Sequence, residues 1–363
     1  MTGTPPIDLT ADQTPAHSSN KHTSSSSILF QNPTKTVIVL DLPRSLEESQ
    51  VPSRQLNPHV DPPRRLVSAP PPTTPFPTPE PKKHPASAVV TSHAAQIAEL
   101  MTFATIESAL AELHESYTGP FSLQRISRAP SQASSSHPLI PEDSQPLNGR
   151  IEDLRSEVLE LLPFDLILLD PPWPNRSAKR KRGYQLSHSF SCLHTLLSQV
   201  PISSHLAPDG LVAVWITNSP QAYDLLVSRD GLFAEWDVEP VGEWVWLKVT
   251  DQGEPIVSLE ATWRKPWERL VFGRKRGGSG GAVKTKVIVA CPEGHSRKPC
   301  LRGLLEEEDM GERVLEVFAR GLTAGWSCWG DEALKFQSAG WWVDERPDKS
   351  KSEDPETRKS KSP

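Results

Sequence analysis

Long apolar runs are missing from this sequence. No stretch approaches the length of about 20 apolar residues that a membrane-spanning helix requires. The first residues, MTGTPPIDLTADQ, lack the basic start and apolar core of a secretory signal. Cysteine is scarce, with four residues in 363, and a core of this size needs no disulfide framework. We therefore expect a soluble, intracellular protein without membrane contact.

A basic excess and a metal-ligand pattern are also absent. The formal net charge is -6, so any nucleic-acid binding must come from local patches rather than from the overall charge. Cys291, His295 and Cys300 are candidates for metal ligands, but no Cys-x-x-Cys pair accompanies them. Scattered thiols are the preferred interpretation, and no metal is predicted.

Proline, in contrast, is abundant, with 37 residues unevenly spread. Ser/Pro-rich stretches bury too little apolar surface to fold, so we expect one folded domain with disordered segments. The stretch 52–88 is predicted to be an extended, polyproline-like linker or insertion. The predicted organisation is a disordered 1–27, an N-terminal extension 28–150 with a short strand, a helix and Pro/Ser-rich insertions, a folded domain 151–343 and a disordered tail 344–363.

Strand and helix signals alternate along the chain, which predicts an α/β fold with a mostly parallel sheet and helices on both faces. Strands are predicted at 36–40, 164–169, 211–216, 244–249, 270–272, 287–290 and 314–318. Helices are predicted at 92–115, 151–162, 191–199, 221–228 and 301–308. In the first helix, Ile97, Leu100, Met101 and Ala104, then Ile106, Leu110 and Leu113, have the spacing of an apolar face.

The stretch FDLILLDPPW, residues 164–173, marks the candidate site. Its apolar run has no polar alternation, which favours a strand buried on both faces. Pro171 and Pro172 cannot donate to a strand ladder, so the strand must end at Asp170. Ligands of open α/β sheets bind at the carboxyl ends of the strands. An acid, two stiff prolines and the indole of Trp173 are therefore predicted to face a ligand.

This edge suits an exocyclic amine such as N6 of adenine. Asp170 and the Pro171 carbonyl can accept its two N–H bonds, which aims the nitrogen lone pair at an electrophile. Trp173 offers a face to a base or a sulfonium. These features fit methyl transfer from S-adenosylmethionine. A strand-ending turn and a core tryptophan would have the same residues, so from the residues alone the reaction type stays open.

Four basic residues, Lys179 to Arg182, follow in NRSAKRKR. Such a run is usually a solvated loop or an import signal. Because it lies about ten residues from the DPPW edge, we expect it to neutralise phosphates of an incoming nucleic acid.

Several motifs in order resemble the DPPW-type adenine-N6 methyltransferases, the superfamily of the messenger RNA adenosine methyltransferase, and within it the methyltransferase-like protein four branch. The resemblance spans residues 164–337, and more weakly 28–44 and 94–125. The motifs are FDLILLDPPW with NRSAKRKRGY, LVAVWITN, GEWVWLKVTDQGE, KPWERLVFG, HSRKP and VLEVFARGLTAGWSCWGDEALKFQ.

The resemblance implies a Rossmann-like, S-adenosylmethionine-dependent domain with permuted motif order, in which the catalytic strand precedes the cofactor strand. The implied catalytic residues are Asp170, Pro171, Pro172 and Trp173. The implied cofactor contacts are Asp170, Lys298, Glu316, Arg320, Asp331 and Glu332. Asp331 replaces an Asn common in the family, and an Asp cannot donate to the ribose.

The resemblance also implies substrate contacts. Tyr184 is similar to an aromatic residue that closes over the target base, and Glu268 to an acid that contacts Lys298 or the substrate. A solvent-exposed Tyr184 and a surface pair of Glu268 with Arg269 remain open alternatives. The other implied substrate-binding residues are Asn175, Lys179, Arg180 and Asn218.

The sequence therefore predicts an adenine-N6 methyltransferase acting on nucleic acid. Similarity to the branch favours 2′-O-methyladenosine in a small nuclear RNA, with DNA adenine as the alternative. The expected location is the nucleus, with the cytoplasm as a second location, and a monomer is favoured while the oligomeric state stays open. A single-stranded or unstacked base is expected, because the reacting amine must leave the duplex. The remaining alternative is a catalytically silent nucleic-acid-binding subunit, against which the intact DPPW argues.

Overall fold

The computed structural model describes residues 26–77, 92–127, 137–174, 189–261, 264–294 and 297–344. The segments predicted to be disordered at the two ends lie mostly outside these ranges. No helix within the described residues is long and apolar enough to cross a membrane.

A ten-stranded sheet forms the centre of the described structure. Its strands are β1 (Ile28–Gln31), β2 (Val37–Leu40), β4 (Gln145–Asn148), β5 (Phe164–Leu169), β6 (Leu206–Ile216), β7 (Val238–Lys248), β8 (Trp267–Lys275), β9 (Lys286–Ala290), β10 (Val314–Val317) and β11 (Ser327–Gly330). Their spatial order is β1-β2-β9-β7-β8-β6-β5-β10-β11-β4. A separate two-stranded sheet pairs β3 (Arg64–Leu66) with β12 (Trp342–Asp344).

The large sheet is mostly parallel, as predicted. β1 and β8 run antiparallel to their neighbours, and the other strands run in one direction. Leu169 at the end of β5 is level with Val214 of β6 and Val317 of β10. The strands therefore end side by side, and β5 precedes in sequence its neighbour β10, the order that the resemblance implies.

Helices cover both faces of the sheet. They are α1 (Leu42–Glu48), α2 (His93–Ser116), α3 (Ile151–Leu159), α4 (Phe190–Leu197), α5 (Ile202–His205), α6 (Pro220–Val227), α7 (Leu232–Glu235) and α8 (Arg302–Glu307). Ile167 and Leu169 of β5 pack with α3, α4, α6 and α7 on one face. Leu166 and Leu168 pack with α1 and α8 on the other. The apolar run before Asp170 is thus buried on both sides, which confirms its interpretation.

The N-terminal extension supplies strands to the same sheet. β2 pairs with β9 and β4 pairs with β11, so the sheet continues across the boundary predicted at residue 151. Pro43 lies in the first turn of α1, where no N–H donor is needed. Asp41 caps that helix by accepting from the Arg44 N–H at 2.8 Å.

Two predictions about the extension are wrong. The supposed linker 52–88 contains β3 and an ordered stretch up to residue 77, because its backbone groups bond to surrounding loops. In α2 the predicted apolar face is buried only from Ile106 onward, where the helix packs onto β7 and β9. Ile97, Leu100 and Met101 are exposed, at 61%, 69% and 63%.

Candidate active site

The carboxyl-terminal edge of the sheet collects the charged residues of several motifs. Asp170 follows β5, Glu316 lies in β10, Glu268 begins the antiparallel strand β8 and Lys298 lies in the loop after β9. These residues are far apart in sequence, but parallel strands carry their ends to one edge, and β8 starts where its neighbours end. The topology therefore builds this site.

A left-handed residue and a close backbone approach fix the path of the chain after β10. Phe318 has φ 62°, a left-handed conformation that costs a non-glycine residue about 1 kcal/mol. Ala319 then donates to the Trp329 carbonyl at 3.0 Å. Gly330 lies so close that a Cβ there would be 2.7 Å from the Ala319 carbonyl oxygen. Strain of this kind is common at binding sites.

A row of alternating charges runs along the edge from Asp170. The Lys298 Nζ donates to both Asp170 oxygens, at 2.9 and 3.1 Å, and lies 3.1 Å from a Glu268 oxygen. The Lys248 ammonium bonds to the other Glu268 oxygen. We call Asp170, Lys298, Glu268 and Lys248 the charge row. Their side chains are only 19–24% exposed, so water screens the four charges weakly.

The pKa values follow from these contacts. Burial acts to raise the pKa of Glu268, but the charges of Lys298 and Lys248 outweigh it and lower the pKa to about 2. Burial acts to lower the pKa of Lys298, but Asp170 and Glu268 outweigh it and raise the pKa above its ordinary value. Both groups are therefore charged at neutral pH.

The structure places Lys298 differently from the simplest expectation. Its ammonium was predicted to meet the cofactor, yet its three donors have the Asp170 and Glu268 oxygens as partners. Lys298 also lines the pocket described below. Its most direct effect in this structure is to orient Asp170.

The turn at Pro171 and Pro172 holds Trp173 inside the core. The Trp173 backbone N–H donates to the Pro171 carbonyl at 2.8 Å, and its indole N–H donates to the Trp215 carbonyl at 2.7 Å. Trp173 is 5% exposed and packs near Phe190. The expectation that its face lies open to a ligand is therefore wrong for this structure, because the indole anchors the turn instead.

A pocket opens beside the charge row and encloses about 830 Å³, including space open to solvent. Asp170, Lys298, Glu316 and Arg320 contribute polar groups to its wall, and the remainder includes apolar side chains such as Trp215. Burial and the nearby Asp170 charge raise the pKa of Glu316 to about 7. A concave, mostly apolar wall with a few converging polar groups is the composition of a small-molecule site.

The other predicted cofactor residues lie at the same edge but outside the pocket lining. The Arg320 Nε is 3.4 Å from a Glu332 oxygen, and Glu332 also accepts from Lys335 at 2.9 Å. Asp331 is exposed just beyond β11. The structure thus joins Arg320 to Glu332 and leaves Asp331 at the surface.

The predicted substrate residues are only partly described. Asn218 donates to the Trp267 carbonyl and lines a separate small cleft with Arg269. Asn175, Lys179, Arg180 and Tyr184 lie outside the described residues. So does His295, and the described residues contain no group of three or more metal-ligating side chains.

Sequence reasoning missed two members of this site. Lys248 ends β7, and nothing in the local pattern indicated that it would meet Glu268 on the neighbouring strand. Arg297 lines the pocket with its guanidinium 4.0 Å from the Phe336 ring centre and 4.4 Å from that of Trp341. Arg297 directly precedes Lys298 in HSRKP. Its two aromatic partners lie 39 and 44 residues further along the chain, so the sequence did not indicate that they contact it.

The pocket fits a charged nucleoside cofactor. S-adenosylmethionine carries a cationic sulfonium, an amino acid end and a ribose. The carboxylates of Glu316 and Asp170 can face cations and hydroxyls, Arg320 can face a carboxylate, and Trp215 offers an apolar wall.

Comparison with known proteins identifies the family. The MT-A70 family model matches residues 164–332, which contain the strands from β5 to β11 and the charge row. The N6-methyladenosine RNA methyltransferase MTA1 of Cryphonectria parasitica is 47% identical over 325 residues, covering 88% of this chain and 94% of that protein. The chain belongs to the MT-A70 family.

Two more distant relatives match about half of the chain. The human N(6)-adenine-specific methyltransferase METTL4 is 34% identical over 220 residues, or 56% of this chain and 45% of that protein. A DNA N6-methyl methyltransferase of Caenorhabditis elegans is 34% identical over 207 residues, or 55% of this chain and 54% of that protein. This MT-A70 protein is a methyltransferase, and the family depends in general on S-adenosylmethionine.

Proposed function

We propose that this protein transfers a methyl group from S-adenosylmethionine to N6 of adenosine in RNA. The observation that carries the proposal is the position of Asp170: it ends β5 at the wall of the pocket, with both its oxygens bonded to Lys298. MT-A70 membership supports the chemistry.

The turn offers two acceptors to an exocyclic amine. Each carboxylate oxygen has two acceptor sites, and Lys298 uses one on each Asp170 oxygen, so both retain capacity. The Pro171 carbonyl likewise keeps one acceptor site beside its bond from Trp173. Two N–H bonds directed at these acceptors leave the N6 lone pair facing the pocket. Asp170 thus orients a neutral amine rather than acting as a general base.

The residues that would hold the cofactor are Glu316, Arg320 and Asp170, with Lys298 behind Asp170. When bound, S-adenosylmethionine supplies an electrophilic methyl group on a sulfonium sulfur. Glu316 can accept from ribose hydroxyls once it is ionised, and Arg320 can donate to a carboxylate. The charge row keeps the acceptor carboxylate at a fixed place beside that pocket, which is how positioning lowers a barrier.

RNA is favoured over DNA because a relative that covers 88% of the chain is named an RNA methyltransferase, whereas the DNA relative covers 55% of it. The finer proposal is 2′-O-methyladenosine in a small nuclear RNA, in the nucleus. The alternative is DNA adenine, which the Caenorhabditis relative supports. An intact DPPW and an ordered charge row argue against a silent binding subunit.

A competition assay tests this proposal. The full chain is incubated with labelled S-adenosylmethionine and equal amounts of single-stranded oligonucleotides that differ only in adenosine, 2′-O-methyladenosine or deoxyadenosine at one site. We expect methyl transfer to N6 of RNA, with preference for the 2′-O-methylated site. Preference for plain adenosine would refute the finer proposal, preference for DNA would favour the alternative, and no transfer to any oligonucleotide would refute the enzymatic function.

A further inference from the structure

A proline-rich stretch borders the site. We call residues 66–77 the strap. Its backbone bonds to several loops at the catalytic edge: the Val67 N–H donates to the Trp341 carbonyl at 2.8 Å, and the Ala69 N–H to a Glu293 oxygen at 3.2 Å. Further along, the Pro72 carbonyl accepts from the Asp251 N–H at 2.9 Å. The strap is therefore fixed in place along its length.

The course of the strap links the pocket to the far end of the charge row. Leu66, at its start, lines the pocket. Phe76, near its end, donates its N–H to the Ile256 carbonyl at 2.7 Å. Ile256 in turn donates to the carbonyl of Lys248 at 3.0 Å, and Lys248 ends the charge row. The strap therefore runs from the wall of the pocket to the strand end that carries Lys248.

Phe76 presents an aromatic ring near the end of the strap. It is 40% exposed, and among the residues that the structure describes no other phenylalanine, tyrosine or tryptophan is classed as exposed. The strap is ordered but leaves this ring open, so the ring is available for a planar group to stack on.

A cation lies beside that ring. The Arg264 guanidinium carbon is 5.9 Å from the centre of the Phe76 ring, and Arg264 is exposed. Within the described ranges no carboxylate pairs with Arg264, whereas its neighbour Lys265 pairs with Glu99 at 3.2 Å. Arg264 lies three residues before β8, whose start is at the same edge of the sheet.

We propose that Phe76 and Arg264 form a docking subsite for an unpaired nucleotide next to the target adenosine. The base stacks on the Phe76 ring and the guanidinium of Arg264 meets a backbone phosphate. An exposed aromatic side chain beside an unpaired cation is how proteins hold single-stranded nucleic acid without reading its sequence. This inference rests on the proposed function, because it assigns the substrate class of the same site.

The subsite is tested with a single-stranded, adenosine-containing RNA of about ten nucleotides, a length within the range of single-strand site sizes. Both binding and turnover of this RNA are measured. Fluorescence anisotropy gives the Kd for the full chain, and methyl transfer gives KM and kcat. Phe76→Ala is expected to weaken binding about fivefold or more, as loss of one stacked base does, while Phe76→Tyr keeps it within about twofold. Arg264→Ala should weaken binding and reduce the log–log salt slope by about 0.7.

Matched controls exist at the opposite edge of the sheet. Leu162→Ala removes a 71%-exposed apolar side chain just before β5, and Arg276→Ala removes a surface arginine just after β8. Neither should change RNA affinity. The Phe76 and Arg264 variants should raise KM for RNA while kcat and cofactor affinity stay unchanged, a separation that general loss of structure would not give.

The outcomes separate the two proposals. RNA affinities of Phe76→Ala and Arg264→Ala equal to those of Leu162→Ala and Arg276→Ala, in a protein that methylates RNA, would overturn the subsite alone. Absence of methyl transfer by the unaltered protein would refute the proposed function instead. An equal loss of affinity in Phe76→Tyr and Phe76→Ala would overturn stacking as the source of the effect.

Discussion

Replacing Lys298 by methionine removes the cation between two carboxylates and keeps the length of the side chain. In the structure three carboxylate oxygens lie 2.9–3.1 Å from the Lys298 ammonium. Without it, Asp170 and Glu268 face each other without a cation between them. Breaking a buried pair costs about 3–5 kcal/mol, and one-fifth exposure of these side chains lowers that to about 2–4 kcal/mol. This corresponds to a fall in Tm of about 4–16 °C.

Lys298→Met should also slow the methyl-transfer step. Asp170 loses the bonds that fix both its oxygens, and a misplacement of about 1 Å can reduce a rate about 100-fold. Single-turnover methyl transfer at saturating RNA, below the melting temperature, measures this step. A second substitution, Glu268→Gln, should restore part of the stability in the Lys298→Met protein because it removes the repulsion.

Lys286 provides the matched control. Its ammonium is buried, lies 2.6 Å from Glu308 and donates to the Lys35 carbonyl at 2.7 Å, but it begins β9 at the opposite edge of the sheet. Lys286→Met should lower Tm and leave the single-turnover rate within about twofold. A Lys298→Met protein that keeps its rate within about threefold would refute the role of Lys298 in orienting Asp170.

Further predictions concern three other residues. The raised pKa of Glu316, about 7, leaves about one-tenth of this side chain ionised at pH 6. The affinity for the cofactor, measured by calorimetry, should therefore rise up to about tenfold from pH 6 to 8, and Glu316→Gln should abolish that rise. A pH dependence that is unchanged in Glu316→Gln would contradict this role. Because the pKa of Glu316 is raised on folding, the free energy of unfolding should fall as pH rises from about 4.5 to about 7. Urea unfolding should show a smaller fall in Glu316→Gln. Trp173→Phe leaves the buried Trp215 carbonyl without its donor, which should cost about 1–3 kcal/mol in urea unfolding and slow methyl transfer; an unchanged midpoint would count against the anchor. Ser92→Ala removes the cap of α2 and should cost about 1 kcal/mol, whereas no change in thermal unfolding would show that tertiary contacts replace it.

The strands that carry the site could be predicted because their apolar composition indicates that they are buried. An apolar run without alternation must be covered on both faces, and β5 is. β4 and β11 are short strands that contain proline, asparagine or glycine, and they show no comparable pattern. Pairing with neighbouring strands therefore determines that these residues form strands. The exposed half of α2 shows the limit of periodicity, which indicates an apolar face but not how far the helix overlaps the sheet.

The candidate site was predictable in its members more than in its contacts. Asp170 and Lys298 could be named from motifs, but their direct bond depends on the order of strands in space. Trp173 looked like a ligand face because an indole follows the prolines, and only the position of the Trp215 carbonyl shows that its N–H is used inside. The strap was missed because proline-rich composition is typical of linkers, although its carbonyls and remaining N–H groups can still bond to folded loops.

The central claim is that Asp170 holds the target amine beside the cofactor pocket. Mass spectrometry of digested RNA, after incubation of the protein with S-adenosylmethionine, measures N6-methyladenosine directly for the unaltered protein and for Asp170→Ala. We predict N6-methyladenosine from the unaltered protein and at least about 100-fold less from Asp170→Ala, with RNA affinity retained. A folded Asp170→Ala protein that methylates N6 at the unaltered rate would contradict the claim.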